Sequence, residues 1–278
     1  PTMPVKRLRR QIELAGCELL IFDDSFNATE LMNGGNAFSV QSLLEEGKDW
    51  QKFVAVTPKP EASAYLLFTS GTTGDPKAVD ISYGSLANRI SWMVDYLSLD
   101  SKDRFIQKTP LSFDVCIWEL ILPFTIGAYL HVPHHELHKD PLKLAKQLVS
   151  EKISIIHFVP PMLDSFLMNL RKRLKTGSAE DISINLRWII CSGEALKVGH
   201  VNDVKLTFQG GVDVANLYGP AEAAIDVSCN KLLMDKFNSS LIYLGKEVPN
   251  TFLEVISETG HLVPNGLAGE LVIGGRQL

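Results

Sequence analysis

Between Ala64 and Lys77 the chain reads AYLLFTSGTTGDPK. Thr69, Ser70, Thr72 and Thr73 gather hydroxyls and backbone N–H donors around one point, and Lys77 adds a positive charge. Gly71 and Gly74 allow positive φ and a close approach of backbone to ligand. Such a set of donors suits the oxygens of a polyphosphate. It is not a Walker loop, because Lys77 follows Gly74 by three residues and no Ser or Thr comes after it. The plain alternative is a polar turn. Against it, the donors follow directly on the apolar run Ala64–Phe68, which predicts a buried strand. Further along, Glu222 stands just after Tyr218-Gly219-Pro220. A single carboxylate is a usual way for a protein to share Mg²⁺ with phosphates, and Tyr218 offers a flat face to a purine. Their ordinary alternatives are a surface carboxylate on a turn and a core tyrosine.

Those residues need elements to hold them. The periodicity predicts helices over 5–15, 83–97, 115–126, 141–151 and 162–175, and strands over 18–22, 64–68, 105–108, 128–132, 153–158, 188–191 and 212–217. Residues 23–62, polar and broken by Gly34, Gly35, Pro58 and Pro60, read as a long connection. Alternating strand and helix implies an α/β fold, a mostly parallel sheet layered with helices. From about Leu241 the pattern changes. Short strands at 253–256 and 270–273, with turns at Glu258-Thr259-Gly260 and Pro264-Asn265-Gly266, predict a small antiparallel β-rich unit. The expected organisation is thus an α/β core over 1–240 and the start of a β-rich subdomain over 241–278.

Composition narrows the function classes. The 278 residues are 45% hydrophobic and 21% charged, with formal net charge −5, an ordinary globular balance that argues against nucleic-acid or anionic-membrane partners. The longest apolar segment, Cys116 to Val132, is interrupted by Glu119 and Pro123 and is too short to span a bilayer. Cys17, Cys116, Cys191 and Cys229 are widely spaced with no CxxC pattern, which argues for a reduced, cytoplasmic setting and against zinc. The KRLRR run near the N-terminus reads as the solvated face of an amphipathic helix rather than a targeting patch.

In layered parallel sheets, ligands gather where loops leave the C-terminal ends of strands. Four such junctions carry polar residues: Thr69–Lys77, His157–Pro161, Ser192–Ala195 and Tyr218–Glu222. Their convergence favours one site. Its residue types fit the joining of a carboxylate to the α-phosphate of ATP. That reaction brings two anions together, so it needs cations and donors on the triphosphate and a positioned acid.

Four segments sharpen the reading: LLFTSGTTGDPKAV (66–79), FDVCIWEL (113–120), NLYGPAEAAI (216–225) and AGELVIGG (268–275). In order and spacing, over essentially the whole chain, they resemble the adenylation domain of a nonribosomal peptide synthetase, within the adenylate-forming superfamily of acyl-CoA synthetases and luciferases. The resemblance implies the large N-terminal core of that fold, incomplete at its N-terminus and without the C-terminal lid domain. It implies a two-step ligase: an amino-acid carboxylate attacks ATP, then the acyl group passes to the phosphopantetheine thiol of a peptidyl carrier domain beside adjacent synthetase modules. It assigns ATP to Thr69, Ser70, Gly71, Thr72, Thr73, Gly74 and Lys77, and to Gly193, Glu194, Ala195, Asn216, Leu217, Tyr218 and Gly219. Lys77 and Glu222 are the implied catalytic residues, with Glu222 on magnesium.

By matching position, the substrate pocket would be lined by Asp114, Val115, Trp118, His157, Ile190, Ser192, Leu217, Ile225 and Asp226. The aspartate of the FD motif would pair with a substrate ammonium; its ordinary alternative is a helix N-cap. Trp118 would make the pocket short, and His157, Ser192 and Asp226 would give it a polar end. Taken singly, His157 is as well read as a satisfied core histidine and Asp226 as a turn cap. Together the set resembles a serine-activating pocket, with threonine the nearest competitor. Ala78 and Ala221 stand where the family usually has glycine and threonine, and no residue here matches the family's ribose-binding aspartate or its late lysine. The chain is therefore expected to be a poorly active part of a larger synthetase. The rivals are an acyl-CoA synthetase, which Asp114 opposes, a D-alanine-type ligase, which the polar set opposes, and a non-catalytic scaffold.

Overall fold

A computed structural model describes residues 3–23, 31, 36–47, 55–70, 76–134, 136–175 and 185–278. The chain divides into two compact units, residues 1–80 and 81–278.

In the first unit, α1 (Val5–Ala15) ends at Gly16, whose φ of 60° closes the helix in the left-handed region. Two strands, β1 (Leu19–Phe22) and β2 (Asn36–Ser39), pair in parallel. Ser39 then caps α2 (Val40–Glu46) by accepting a hydrogen bond from the Ser42 amide. The expected long connection over 23–62 thus contains a strand and a helix. Asn-Ala-Phe-Ser is a short alternating run beside glycines, and a strand so brief carries little periodic signal. β3 (Ser63–Ser70) pairs with β4 (Pro76–Ser82). Pro76, read as the end of a loop, is the first residue of a strand, a position that needs no ladder N–H.

The second unit is built on a seven-stranded sheet in the order β11-β10-β9-β8-β7-β5-β6. Its parallel strands are β5 (Arg104–Ile106), β6 (Tyr129–His131), β7 (Ile155–Phe158), β8 (Trp188–Cys191) and β9 (Asp213–Tyr218). β7 and β8 are buried at every residue, as their unbroken apolar runs IIHF and WIIC require of strands covered on both faces. Two antiparallel strands, β10 (Ser228–Leu232) and β11 (Lys246–Glu247), complete one edge. This agrees with the expected α/β architecture.

Helices cover both faces. α3 (Tyr83–Leu97) starts at Ser82, whose hydroxyl accepts from the Ser85 amide, and buries Leu86, Ile90, Met93 and Leu97 at helical spacing. α4 (Val115–Thr125) is apolar nearly all round and buries Val115, Cys116, Trp118, Glu119, Leu122 and Pro123, leaving Ile121 and Phe124 exposed. On the opposite face lie α5 (Pro141–Ser150), α6 (Pro160–Lys175) and α7 (Val198–Thr207). There Phe158, Leu163, Phe166, Ile189, Cys191, Val201 and Val214 belong to one continuous core. The final ribbon, β12 (Thr251–Ile256) with β13 (Glu270–Gly275), is antiparallel as expected and longer than its apolar centre suggested.

Candidate functional site

Strand register decides which side chains can meet. His157 lies opposite Ile190, and Ile190 opposite Ala215, so His157, Ile190, Ser192 and Leu217 share one face at the C-terminal ends of three neighbouring strands. Phe158, Cys191 and Asn216 share the other. The three junctions after β7, β8 and β9 are therefore adjacent, as the convergence argument requires of them. Among the Thr69–Lys77 residues, Gly71, Thr72, Thr73 and Gly74 lie outside the described residues, as does the side chain of Ser70. Thr69 Oγ1 donates to the Lys77 carbonyl at 3.5 Å, and Lys77 is exposed on β4.

On the first face, His157 Nε2 and Ser192 Oγ are 2.9 Å apart, both buried. Trp118 on α4 meets the imidazole edge-on, with ring centroids 6.2 Å apart and planes at 82°. Burial, then the neighbouring charge of Lys108, hold the imidazole pKa well below the usual histidine value. A neutral imidazole has one donor and one acceptor. One of its nitrogens is used on Ser192. His157 Nδ1 and Trp118 Nε1 are buried without a hydrogen-bond partner among the described residues. Orphaned polar atoms are rare in protein interiors because each carries a desolvation cost of about 1–3 kcal/mol.

Asp114 is the N-cap of α4 and accepts from the Val115 amide at 2.8 Å. Both sequence-based readings of this residue survive, since a cap uses one oxygen and leaves the other. Asp114 makes no ion pair among the described residues. Burial first, and the nearby carboxylate of Asp226 second, push its pKa up to about 6; Arg89 and the Val115 amide pull the other way.

Asp226 is differently placed from the free polar end expected of it. Its carboxylate is paired with Arg89 Nη2 at 2.5 Å, with both side chains buried. The turn that carries it is strained, for Ala224 and Ile225 take φ of 53° and 79°. Two successive non-glycine residues in the left-handed region, one of them β-branched, cost on the order of 1–3 kcal/mol each and persist only where the surroundings over-determine them. Gln277 does part of this. Its side-chain amide donates to the carbonyls of Ala223 and Asp226, 3.0 Å in each case. Asn88 donates in turn to Gln277 Oε1 at 3.0 Å and to the Pro249 carbonyl at 2.9 Å, and accepts from Asn250 at 2.8 Å.

Sequence reading missed Arg89, Asn88 and Gln277. The signal for Arg89 was present: it stands at a core position of α3, between Leu86 and Ile90 and four residues before Met93, where a charge is tolerated only if paired. Gln277 gave no comparable signal.

On the other side of the β8 and β9 termini, Gly193, Glu194, Ala195, Asn216, Leu217, Tyr218 and Gly219 line one cavity of about 330 Å³ together with Leu196, Ile242 and Leu244. The residues expected around adenine are thus brought together, and three apolar ones join them. Asn216 Nδ2 donates to the Tyr243 carbonyl at 3.0 Å, which fixes the 242–244 segment as a wall. Glu222 is exposed on a short 3₁₀ turn, Ala221–Ala223, and makes no hydrogen bond or ion pair among the described residues. No cluster of three potential metal ligands occurs among the described residues, so Glu222 could hold a cation only in company with a ligand's own oxygens. Cys116, Cys191 and Cys229 are buried thiols pushed up to about 12 by desolvation, Cys17 is exposed, and all four are free. No described helix is long and apolar enough to cross a membrane.

Comparison with known proteins gives the chain a family. The family model for AMP-binding enzymes matches residues 1–278. Zwittermicin A synthase ZmaJ of Bacillus cereus is 34% identical over 285 residues, covering 99% of this chain and 52% of its own length. Enterobactin synthase component F of Escherichia coli (strain K12) is 38% identical over 224 residues, covering 79% of this chain and 17% of its own. The chain therefore spans about half of the first relative and under a fifth of the second. The crystal structure of the nonribosomal peptide synthetase FmoA3 (S1046A) superposes with a TM-score of 0.88 over 99% of this chain and 28% of that one, at 19% identity, which speaks for the fold alone. From the match over the whole chain, the chain belongs to the AMP-binding enzyme family.

Proposed function

We propose that this chain activates a small polar α-amino acid, serine foremost, as its aminoacyl adenylate, for transfer to the phosphopantetheine thiol of a carrier domain in a modular synthetase. The observation that carries the reading is Asp114. Around it lie two carboxylates, Asp114 and Asp226, and one guanidinium, Arg89. Asp226 is already neutralised by Arg89. Among the described residues one half-buried carboxylate, Asp114, remains without a counter-ion, and a substrate ammonium would supply it. Trp118 shortens the space beyond. The orphaned Trp118 Nε1 and His157 Nδ1 favour a substrate that brings a hydroxyl, because an aliphatic one would leave them unmatched.

In the reaction, a substrate carboxylate oxygen attacks the α-phosphorus and pyrophosphate departs. The cavity at 193–196 and 216–219 receives the base, with Tyr218 against its face. By the family resemblance, Thr69, Ser70, Thr72 and Thr73 would donate hydrogen bonds to the triphosphate and Lys77 would offset part of its charge. Magnesium, when bound, screens the phosphate charge, and the unpartnered carboxylate of Glu222 fits that role.

Pyrophosphate exchange on the intact protein carrying this sequence tests the proposal, with serine, threonine, alanine and glycerate, the hydroxy-acid analogue of serine, as substrates. Serine is expected to give the highest kcat/KM, and threonine to follow within roughly 10–200-fold, as one added methyl allows. Glycerate should fall at least about a hundredfold below serine, because it leaves Asp114 unpaired. Equal exchange with glycerate would contradict the ammonium reading, and absence of exchange with every acid would favour the scaffold. Ser192→Ala is expected to erode the preference for serine over alanine by about tenfold, with the KM for ATP unmoved.

A further inference from the structure

Resting on that reading of the pocket, we infer that Arg89 and Gln277 are positioning residues for substrate selection: they hold the strained 223–226 turn, and with it the Ile225 and Asp226 wall, from outside the pocket. Three observations meet here. First, Ala224 and Ile225 occupy the left-handed region in succession, a strain that the turn's local bonds, Ala223 amide to Pro220 carbonyl, Asp226 amide to Ala224 carbonyl and Val227 amide to Tyr218 carbonyl, have to share with support from outside. Second, the bonds that hold it come from two distant parts of the chain. Arg89 on α3 grips the Asp226 side chain, 137 residues away in sequence, and Gln277 grips the backbone carbonyls of Ala223 and Asp226, both within 3.0 Å. Third, both clamps are wholly buried, and Asn88 joins them. Its donation to Gln277 Oε1 sets the amide so that the NH₂ group faces the two carbonyls. Ser85, one helical turn earlier, donates to the Arg276 carbonyl at 3.0 Å and seats the same segment on α3.

The chemistry of the clamp is suited to selection. A carboxylate held by one guanidinium cannot swing toward an incoming side chain, so Asp226 presents a fixed edge. Ile225, held at its unfavourable φ, presents a fixed apolar surface beside it. If either clamp is loosened, the turn can relax, and the pocket then distinguishes less well between acids of similar size. Of the cavity proposed for the base, Gly193 to Leu196 lie on the loop after β8 and take no part in these bonds, whereas Tyr218 and Gly219 abut the turn.

The test measures exchange by the intact protein with a panel of α-amino acids, hydroxy acids and aryl acids, for wild type and for Gln277→Ala, Asn88→Ala, Arg89→Met and Arg89→Lys. In Gln277→Ala and Arg89→Met the ratio of kcat/KM between the best acid and its nearest analogue is expected to shrink by roughly tenfold or more. The loss should be larger in the KM for the acid than in the KM for ATP, which the turn reaches only through Tyr218, Gly219 and Glu222. Arg89→Lys should restore part of the ratio, since an ammonium keeps the charge and can make a single bond like that of Nη2 to Asp226, on a stem of different reach. Should Arg89→Met fail to fold, Asn88→Ala, at a partly exposed site, and Gln277→Ala decide the matter. Unchanged ratios in both would overturn the inference. So would equal rises in the KM for acid and for ATP, tracking a loss of thermal stability and unrelieved by lysine. If the best acid lacks an ammonium, the amino-acid reading falls, while the change in ratio still reports on Arg89 and Gln277.

Discussion

Asp114→Asn is expected to reduce kcat/KM for the amino acid by about two to three orders of magnitude and to leave the KM for ATP near its wild-type value. Removing one partner of a buried ion pair costs about 3–5 kcal/mol, and each 1.4 kcal/mol is tenfold. Asparagine keeps the shape and the N-cap acceptor, so α4 still begins where it does. The same substitution should stabilise the ligand-free protein. Burial and Asp226 raise Asp114 from an ordinary 3.8 to about 6. Between those values the folded chain keeps a proton that the unfolded chain has released. Stability therefore falls as pH rises through that window, and above it the ionised group is a standing cost on the order of 1–2 kcal/mol after allowance for its partial exposure. Thermal unfolding of the mutant should show a higher Tm at pH 7 and a flatter profile between pH 4 and 6. Substrate reverses the sign. An ammonium favours the carboxylate, so the wild-type KM for the amino acid should rise as pH drops below about 6, and the mutant should lose that dependence. A mutant that binds its amino acid normally at pH 7 would refute the role given to Asp114.

The second large effect is expected from Gly219→Ala. A β-carbon there would lie 2.5 Å from the Asp226 Cα, 2.6 Å from the Ile225 carbonyl oxygen and 2.9 Å from the Val227 amide nitrogen. All three are backbone atoms of the strained wall, and the wall is pinned from behind by Gln277 and tied in front by the Val227 amide donating to the Tyr218 carbonyl at 2.7 Å. Nothing flexible can move aside. Overpacking of this kind costs about 1–3 kcal/mol or more, which in a chain of this size lowers Tm by roughly 5–10 °C. Because Gly219 also lines the cavity proposed for the base, the KM values for ATP and for the amino acid should rise together. That separates it from Asp114→Asn, where only one rises. A methyl group tolerated without loss of Tm would show that the turn is softer than its bonds imply.

Much of this was legible in the sequence where residues are numerous and consistent. The apolar runs of β7 and β8, the 3.6-residue stripe of α3 and the proline-led start of α5 each specify one element. His157 and Ser192 could be matched because they end neighbouring strands. What escaped were features held by single distant contacts. β10, SCNKL, has too little apolar pattern to announce a strand, and its place is given by pairing with β9 and β11. Asp226 looked like a free ligand because its partner is 137 residues upstream on α3. Gln277 drew no reading at all, because nothing in its neighbourhood foretells that its amide completes a turn more than fifty residues earlier.

The Asn88 node carries a consequence for how such domains can be recombined. Its amide joins α3 to Pro249, to Asn250 and to Gln277, positions 161 to 189 residues away. A chimaera whose crossover falls between α3 and the 223–226 turn would unite a carboxylate from one parent with a helix from another, and would keep the Asp226 pair only where the other parent also has an arginine at position 89. Grafting the pocket-lining positions alone meets the same condition in miniature. If the clamp acts as inferred, a donor segment for this pocket has to run from Ser85 to Gln277 and bring α3 along with the turn it holds.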